Sequence, residues 1–267
     1  MKNLAPSQKF GATLLSGLFV VSCIVGWLSP HDLNAQDLTQ RLMSPNATHW
    51  LGTDQFGRDL LTRVASAIRL SFLLGILCML SAASMGVAFG VLAAWKGGRF
   101  EQSLEVVVNI LLALPGLVLV LLLAAIVPGS FVVLYFAISL VQWVEYYRVS
   151  RAMTRPLLQS PELQVSQMMG FSNWYLFKRH IWPKLSASIF TMAAFGGGNA
   201  ILTMASLGFV YVGIQPPLAE LGLMSVELFP YYSQAPWALI QPLIAVALLV
   251  LGFHLLAGNK NESLASS

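Results

Sequence analysis

Six stretches of the chain, residues 10–28, 72–95, 105–127, 131–144, 186–210 and 237–257, are dominated by apolar side chains and nearly empty of charge. About 20 such residues in a helix, rising 1.5 Å each, cross a hydrocarbon core of roughly 30 Å. Lipid offers no partner to a backbone N–H or C=O, so each crossing must satisfy them within its own helix. The expectation is an all-α membrane protein with six transmembrane helices. Composition agrees: 57% of residues are hydrophobic and 10% charged, where soluble domains carry about a quarter charged residues. Residues 10–28 read as an uncleaved first span rather than a cleaved signal peptide, because the apolar run is long and no small-x-small site sits cleanly behind it. The fourth run is short, and extension to Tyr147 gives it an adequate length. Trp143, Tyr146 and Tyr147 are then expected at the inner interface, where amphipathic aromatics are favoured.

Residues 146–185 form the longest polar interruption after the first span. They carry Arg148, Arg151, Arg155, Lys178, Arg179 and Lys184 against one acid, Glu162. Translocation of Lys and Arg is disfavoured, which puts this loop in the cytoplasm. Its grammar is that of two short helices. Ser160 caps the first, Pro161 suits its first position, and Glu162 adds charge at its positive end. Gly170 closes it in a left-handed conformation. Ser172 caps the second, with Trp174, Phe177 and Ile181 on one face, and Pro183 separates it from the next span.

The cytoplasmic segments would hold eleven basic residues: Lys2, Lys9, Lys96, Arg99, the six above and Lys260. The outer segments would hold four, namely Arg41, Arg58, Arg63 and Arg69. With six spans both termini are cytoplasmic. This basic balance needs no nucleic-acid partner.

Within the outer residues 29–69, Gly52 and Gly57 permit tight turns, and Thr53 or Asp54 can cap a helix whose stripe is Leu60, Leu61, Val64 and Ile68. That stripe suggests an interfacial helix tying span one to span two. Arg58 and Arg69 are placed to pair with Asp54 or Asp59, or to meet lipid headgroups. In span two Ala82, Gly86, Gly90 and Ala94 repeat every four residues, a flat face that another helix can approach closely. Lys96 to Gln102 reads as a short loop. Asn109, Pro115 and Asn199 are the residues expected on a polar path. Pro115 should kink the third span or free a carbonyl toward a cavity, and Gly196-Gly197-Gly198 marks either a pore-facing bend or close helix packing.

No Gly-x-x-x-x-Gly-Lys phosphate loop, HExxH, Gly-x-Ser-x-Gly or spaced Cys/His ligand set occurs, so no catalytic residue, cofactor or metal ligand is assigned. Cys23 and Cys78 sit in apolar runs as small hydrophobes. His31, His49, His180 and His254 are scattered, with no pair at ligand spacing. Buried acids inside the spans are almost absent, which argues against proton-coupled transport. His254 is the lone candidate, and an interfacial histidine with its hydrogen bonds satisfied is the plainer reading.

Two motifs carry a resemblance. Leu51-Gly52-Thr53-Asp54, Gly57-Arg58-Asp59, Thr62-Arg63 and Arg69-Leu70-Ser71 resemble the second-subunit permeases of the dipeptide, oligopeptide and nickel ABC importers. Gln164, Val165, Ser166, Gly170, His180, Ile181 and Pro183 resemble the family's cytoplasmic coupling loop, with Gln164 in place of its Glu. Trp143, Tyr147, Arg148 and Arg151, residues 213–217, and Ala235-Pro236-Trp237 are similar to further family strings. Leu221 replaces a Trp, Asn109 stands near a common Asp, and Gly258-Asn259 stands where the family often has Gly-Asp.

The resemblance implies a type I ABC importer permease fold in a bacterial inner membrane. It implies a homologous second permease subunit as heterodimer partner, two ATP-binding subunits docking near residues 160–183, and an extracytoplasmic substrate-binding protein docking near 212–236. Glu162, Gln164, Ser166, Gly170, His180, Ile181 and Pro183 would couple to the ATPases, which would supply the hydrolysis that this chain does not. The implied division is an N-terminal region, 1–70, and a five-helix core, 71–258. A membrane channel or structural subunit without ATPase partners is the alternative.

Overall fold

The computed structural model describes residues 5–258; Lys2, Asn259 and Lys260 lie outside them. Helix α1 spans Pro6–Leu28, and a collar of turns follows before α2, Leu60–Lys96. Next come α3 (Gly98–Leu112), α4 (Gly116–Ala124) and α5 (Phe131–Leu158). On the cytoplasmic side of the expected topology lie α6 (Pro161–Met168) and α7 (Asn173–Leu176). A π-helical turn, Phe177–Ile181, leads into α8, Trp182–Phe209. Last come α9 (Leu221–Leu228) and α10 (Pro236–Ala257).

Among the described residues, four helical stretches are long and apolar enough to cross a membrane: α1, α2, Asn173–Phe209 and α10. A fifth crossing is available if α3 and α4, bent by 83° at residues 113–115, count as one. Pro115 therefore does more than kink the third span; it ends up at the N-cap of a separate helix. A proline ring lacks the N–H that would continue the ladder and clashes with the preceding turn. The sixth expected crossing is α5. It is 28 residues long, but its second half carries Glu145, Arg148, Arg151 and Arg155, so only its first half is apolar.

Several local expectations are corrected. No separate interfacial helix joins spans one and two: the stripe Leu60, Val64 and Ile68 forms the first turns of α2 itself and is buried. The cap of α2 is neither Thr53 nor Asp54 but Asp59, whose carboxylate accepts from Thr62 N at 2.8 Å. Lys96 to Gln102 is not a loop, because only Gly97 separates α2 from α3. Ser160 stands at the N-cap of α6 without capping it; its hydroxyl donates back to Leu157 O. Pro183 does not separate the second short helix from the next span, since the π-turn passes directly into α8 with Pro183 in its first turn.

Close packing explains the rest. Trp143, Tyr146 and Tyr147 are not at a lipid interface but buried, at 8%, 2% and 1% exposure. They lie on the flat face of α2: a Cβ on Gly90 would stand 2.6 Å from Tyr147 O and 2.8 Å from Ser150 Cβ, and one on Gly86 would stand 2.9 Å from Tyr147 N. The small residues of span two thus receive α5. The Gly196-Gly197-Gly198 run produces no bend, because α8 is continuous through it. Its glycines admit Tyr146, Phe253 and His254 instead. Trp174 is exposed, and the buried side of the second short helix is Leu176 and Ile181.

Candidate functional site: an outer collar, a polar cavity and an inner platform

The collar is built by its own sequence. Gly52 and Gly57 adopt φ of +80° and +74°, as their turns require. Thr53 donates its hydroxyl to Gln40 O and accepts from Met43 N at 2.9 Å. Asp54, only 2% exposed, accepts from Phe56 N, Arg58 N and Arg58 Nε at 2.8, 2.9 and 2.6 Å. Arg63 adds a second guanidinium 3.4 Å from the same carboxylate. Both arginines reach toward Glu227 of α9, at 3.6 and 4.0 Å, and Gln55 donates to it at 3.3 Å. Leu51 O accepts from Gln241 of α10 at 2.8 Å. The string from Leu51 to Asp59 therefore locks the collar to α2, α9 and α10. Arg69 takes no ion pair among the described residues; its guanidinium packs against Gly26 of α1.

Sequence spacing missed one cluster there. His31, His49 and Asp59 bring one ligand atom each within 4.8 Å of one another. At least one ligand atom of each already has a partner. His49 meets Asp59 and Gln40, each at 2.9 Å, and His31 meets Thr48 O at 3.0 Å. The cluster is thereby part of the collar's scaffolding.

Glu220 caps α9 from a buried position, accepting from Gly222 N at 2.8 Å and Leu223 N at 2.6 Å. Burial pushes its carboxyl up from 4.5 to about 7, against those two donors, which favour the ionised form. The folded value lies above the unfolded one, so the folded state holds the extra proton between about pH 4.5 and 7. Stability should therefore fall as pH rises through that window and level off above it. Glu220→Gln keeps a carbonyl acceptor and cannot ionise. Thermal unfolding of the purified protein from pH 4.5 to 8 should show a flatter profile for this variant than for the parent.

A cavity of about 340 Å³ opens between α4, α5 and α8. Asn199 lines it with Thr203 and Ser206, at i, i+4 and i+7 on one face of α8, and with Gln142 and Glu145 of α5. Gln142 donates to Gly196 O at 2.8 Å, leaving its own carbonyl oxygen without a partner among the described residues. The break at Pro115 places Gly116 and Leu117 on the cavity wall, while Asn109 is exposed on α3 and lines no part of it. Of the three expected path residues, Asn199 alone lines the cavity; Pro115 precedes the lining residue Gly116. The spacing of Asn199, Thr203 and Ser206 within an apolar run was the signal for the missed pair; Glu145 gave none, because it reads as the end of the fourth span.

At the other end, Leu163, Leu176, Ile181 and Leu185 are all at most 1% exposed and fasten α6 and α7 to the helix bundle. Ser166 and His180 Nε2 stand 3.0 Å apart and join the two short elements. Gly170, at φ +82°, turns the chain between them. Glu162 is exposed and 3.5 Å from Lys184. Gln164, Val165, Met168 and Met169 project outward, Met168 being 84% exposed. Arg151 is held by Glu101 and, at 2.6 Å, by Glu105. These contacts bind α3 to α5, a role that nothing in the spacing of the two acids marks.

Residues 86–261 match the family described as binding-protein-dependent transport system inner membrane component. A probable D,D-dipeptide transport system permease protein of Escherichia coli is 34% identical over 94% of this chain and 84% of its own length. A glutathione transport system permease protein of Pectobacterium atrosepticum is 31% identical over 93% of this chain and 85% of its own. A nickel transport system permease protein of Escherichia coli is 28% identical over 93% and 90%.

Proposed function

The chain belongs to the inner membrane components of binding-protein-dependent transport systems, and from that membership we propose that it is a permease subunit of an ATP-driven importer for peptides or for nickel and other metal–chelate complexes. A homologous second permease would complete the pathway, two ATPases would dock on α6, and a binding protein would dock on the outer loops around 212–236. Both termini would be cytoplasmic, with residues 1–70 forming an N-terminal region and 71–258 the core. The observation that carries the reading is the polar face of α5 and α8. Gln142, Glu145, Asn199, Thr203 and Ser206 share one cavity between α5 and the apolar α8, and polar groups inside a membrane bundle belong against water or protein rather than acyl chains. Asn109, Pro115 and Asn199 are proposed as pathway residues on this basis, Asn109 by its exposure alone.

On the platform, Glu162, Gln164, Ser166, Gly170, His180, Ile181 and Pro183 are proposed to transmit ATPase closure. Exposed Val165, Met168 and Met169 supply an apolar surface for a groove, and Leu163 and Ile181 carry its movement into the bundle. A Cβ at Gly170 meets nothing within 4 Å, so a substitution there acts through the left-handed backbone, at about 1–2 kcal/mol. Gly170→Val should leave ATP hydrolysis in the assembled importer while uptake falls roughly tenfold, matching that penalty. Unchanged uptake would count against the coupling role.

Substrate class is tested by uptake in a deletion strain, with a labelled dipeptide and labelled nickel plus chelator in parallel. Loss of one activity, restored by the cloned gene, assigns the class. Retention of both overturns this assignment to peptides or metal chelates.

A further inference from the structure

Resting on the pathway reading above, we propose that Glu145 makes the cavity selective for a positively charged group on the passing solute and disfavours an anionic one. Glu145 follows the apolar half of α5 and is exposed. It takes part in no ion pair among the described residues, in contrast to Glu101 and Glu105, which Arg151 occupies. Arg148, one turn further along α5, makes no ion pair with it. Among the described residues that line the cavity Glu145 is the sole charged one; its polar companions are the amides of Gln142 and Asn199 and the hydroxyls of Tyr146, Thr203 and Ser206.

A single carboxylate among low-dielectric walls, with no fixed counter-charge, focuses a negative potential into the space it borders. A neutral polar wall would pass either sign; this one attracts an ammonium or a complexed cation and repels a carboxylate or phosphate. The amides and hydroxyls beside it can replace part of a solute's hydration without adding charge. Glu145 is thus a specificity residue rather than a structural one, since no protein group among the described residues needs its negative charge.

The test reads local potential without requiring the natural substrate. In a background with Cys23→Ser and Cys78→Ala, Asn199→Cys is introduced into the importer assembled with its partner subunits. The thiol is treated with trimethylammonioethyl methanethiosulfonate, which is cationic, and with sulfonatoethyl methanethiosulfonate, which is anionic. Ala47→Cys, exposed on the outer collar, supplies the reference ratio for the two reagents. With Glu145 present the normalised cation-to-anion rate ratio at Asn199→Cys should be elevated, and Glu145→Gln should lower it by about fivefold, as expected of one unit charge across a partly hydrated cavity. An unchanged ratio in Glu145→Gln overturns the selectivity role and leaves the pathway reading intact. No modification at Asn199→Cys by either reagent, at rest or during ATP turnover, overturns the pathway reading and this proposal with it.

Discussion

Asp54→Ala should destabilise the protein by about 3–5 kcal/mol, the cost of removing one partner from a buried charge pair. The carboxylate is 2% exposed and accepts two backbone N–H groups besides the Arg58 guanidinium. Without it, Arg58 and Arg63, at 4% and 3% exposure, face each other with only Glu227 at 3.6 and 4.0 Å for compensation. The turn at residues 54–58 loses its side-chain acceptor in the same stroke. Thermal unfolding in detergent reads the effect. Substituting Arg58 and Asp54 together should cost less than the sum of the single changes, because the double variant strands one fewer buried charge. Additive losses would show that the two residues act independently and that the collar is held by something else.

Gly90→Val is the second large effect. Its Cβ would stand 2.6 Å from Tyr147 O, 2.8 Å from Ser150 Cβ and 3.0 Å from Arg151 N. Two of these are main-chain atoms of α5, which cannot give way as a flexible side chain can, so the helices must separate along their most extensive contact. The expected loss is about 3 kcal/mol or more, at the upper end of overpacking costs. Gly17→Ala is the matching control: nothing lies within 4 Å of its added Cβ, and a helical Gly→Ala exchange in open space gains about 0.5–1 kcal/mol. Equal stability for both variants would mean that α2 and α5 do not meet as described.

The same contact shows what was legible in the sequence. The four-residue repeat of small side chains announced a close helix approach, and the structure supplies its partner, α5. That partner was hidden because Trp143, Tyr146 and Tyr147 look like interfacial aromatics when only their own helix is considered; burial against glycine is a property of the pair. The motif from Leu51 to Asp59 was plain as a string. Its cap was misplaced because Thr53, Asp54 and Asp59 all have side chains suited to capping, and only the fold shows Asp54 engaged by its own turn and Arg58 while the second oxygen of Asp59 reaches Thr62 N. Pro115 marked an interruption but not its 83° size, which depends on where α4 finds its packing. Pro183 reads as a break and is not, because a first-turn proline suits a helix; of the two readings of the triple glycine, close packing is the one realised, because tertiary packing overrides the low propensity of glycine. In the cavity, Asn199 was visible as an amide in an apolar run. Glu145 was not, because its membership depends on α5 running unbroken past the apolar segment.

The most direct measurement is purification of the tagged chain from its host membrane in mild detergent, followed by subunit identification and an ATPase assay. The expected result is a complex containing one homologous permease and ATP-binding subunits, with hydrolysis stimulated by an extracytoplasmic binding protein and its solute. Recovery of the chain alone or with copies of itself, without any ATPase in a membrane where it supports solute flux, would contradict the importer account and point to a channel.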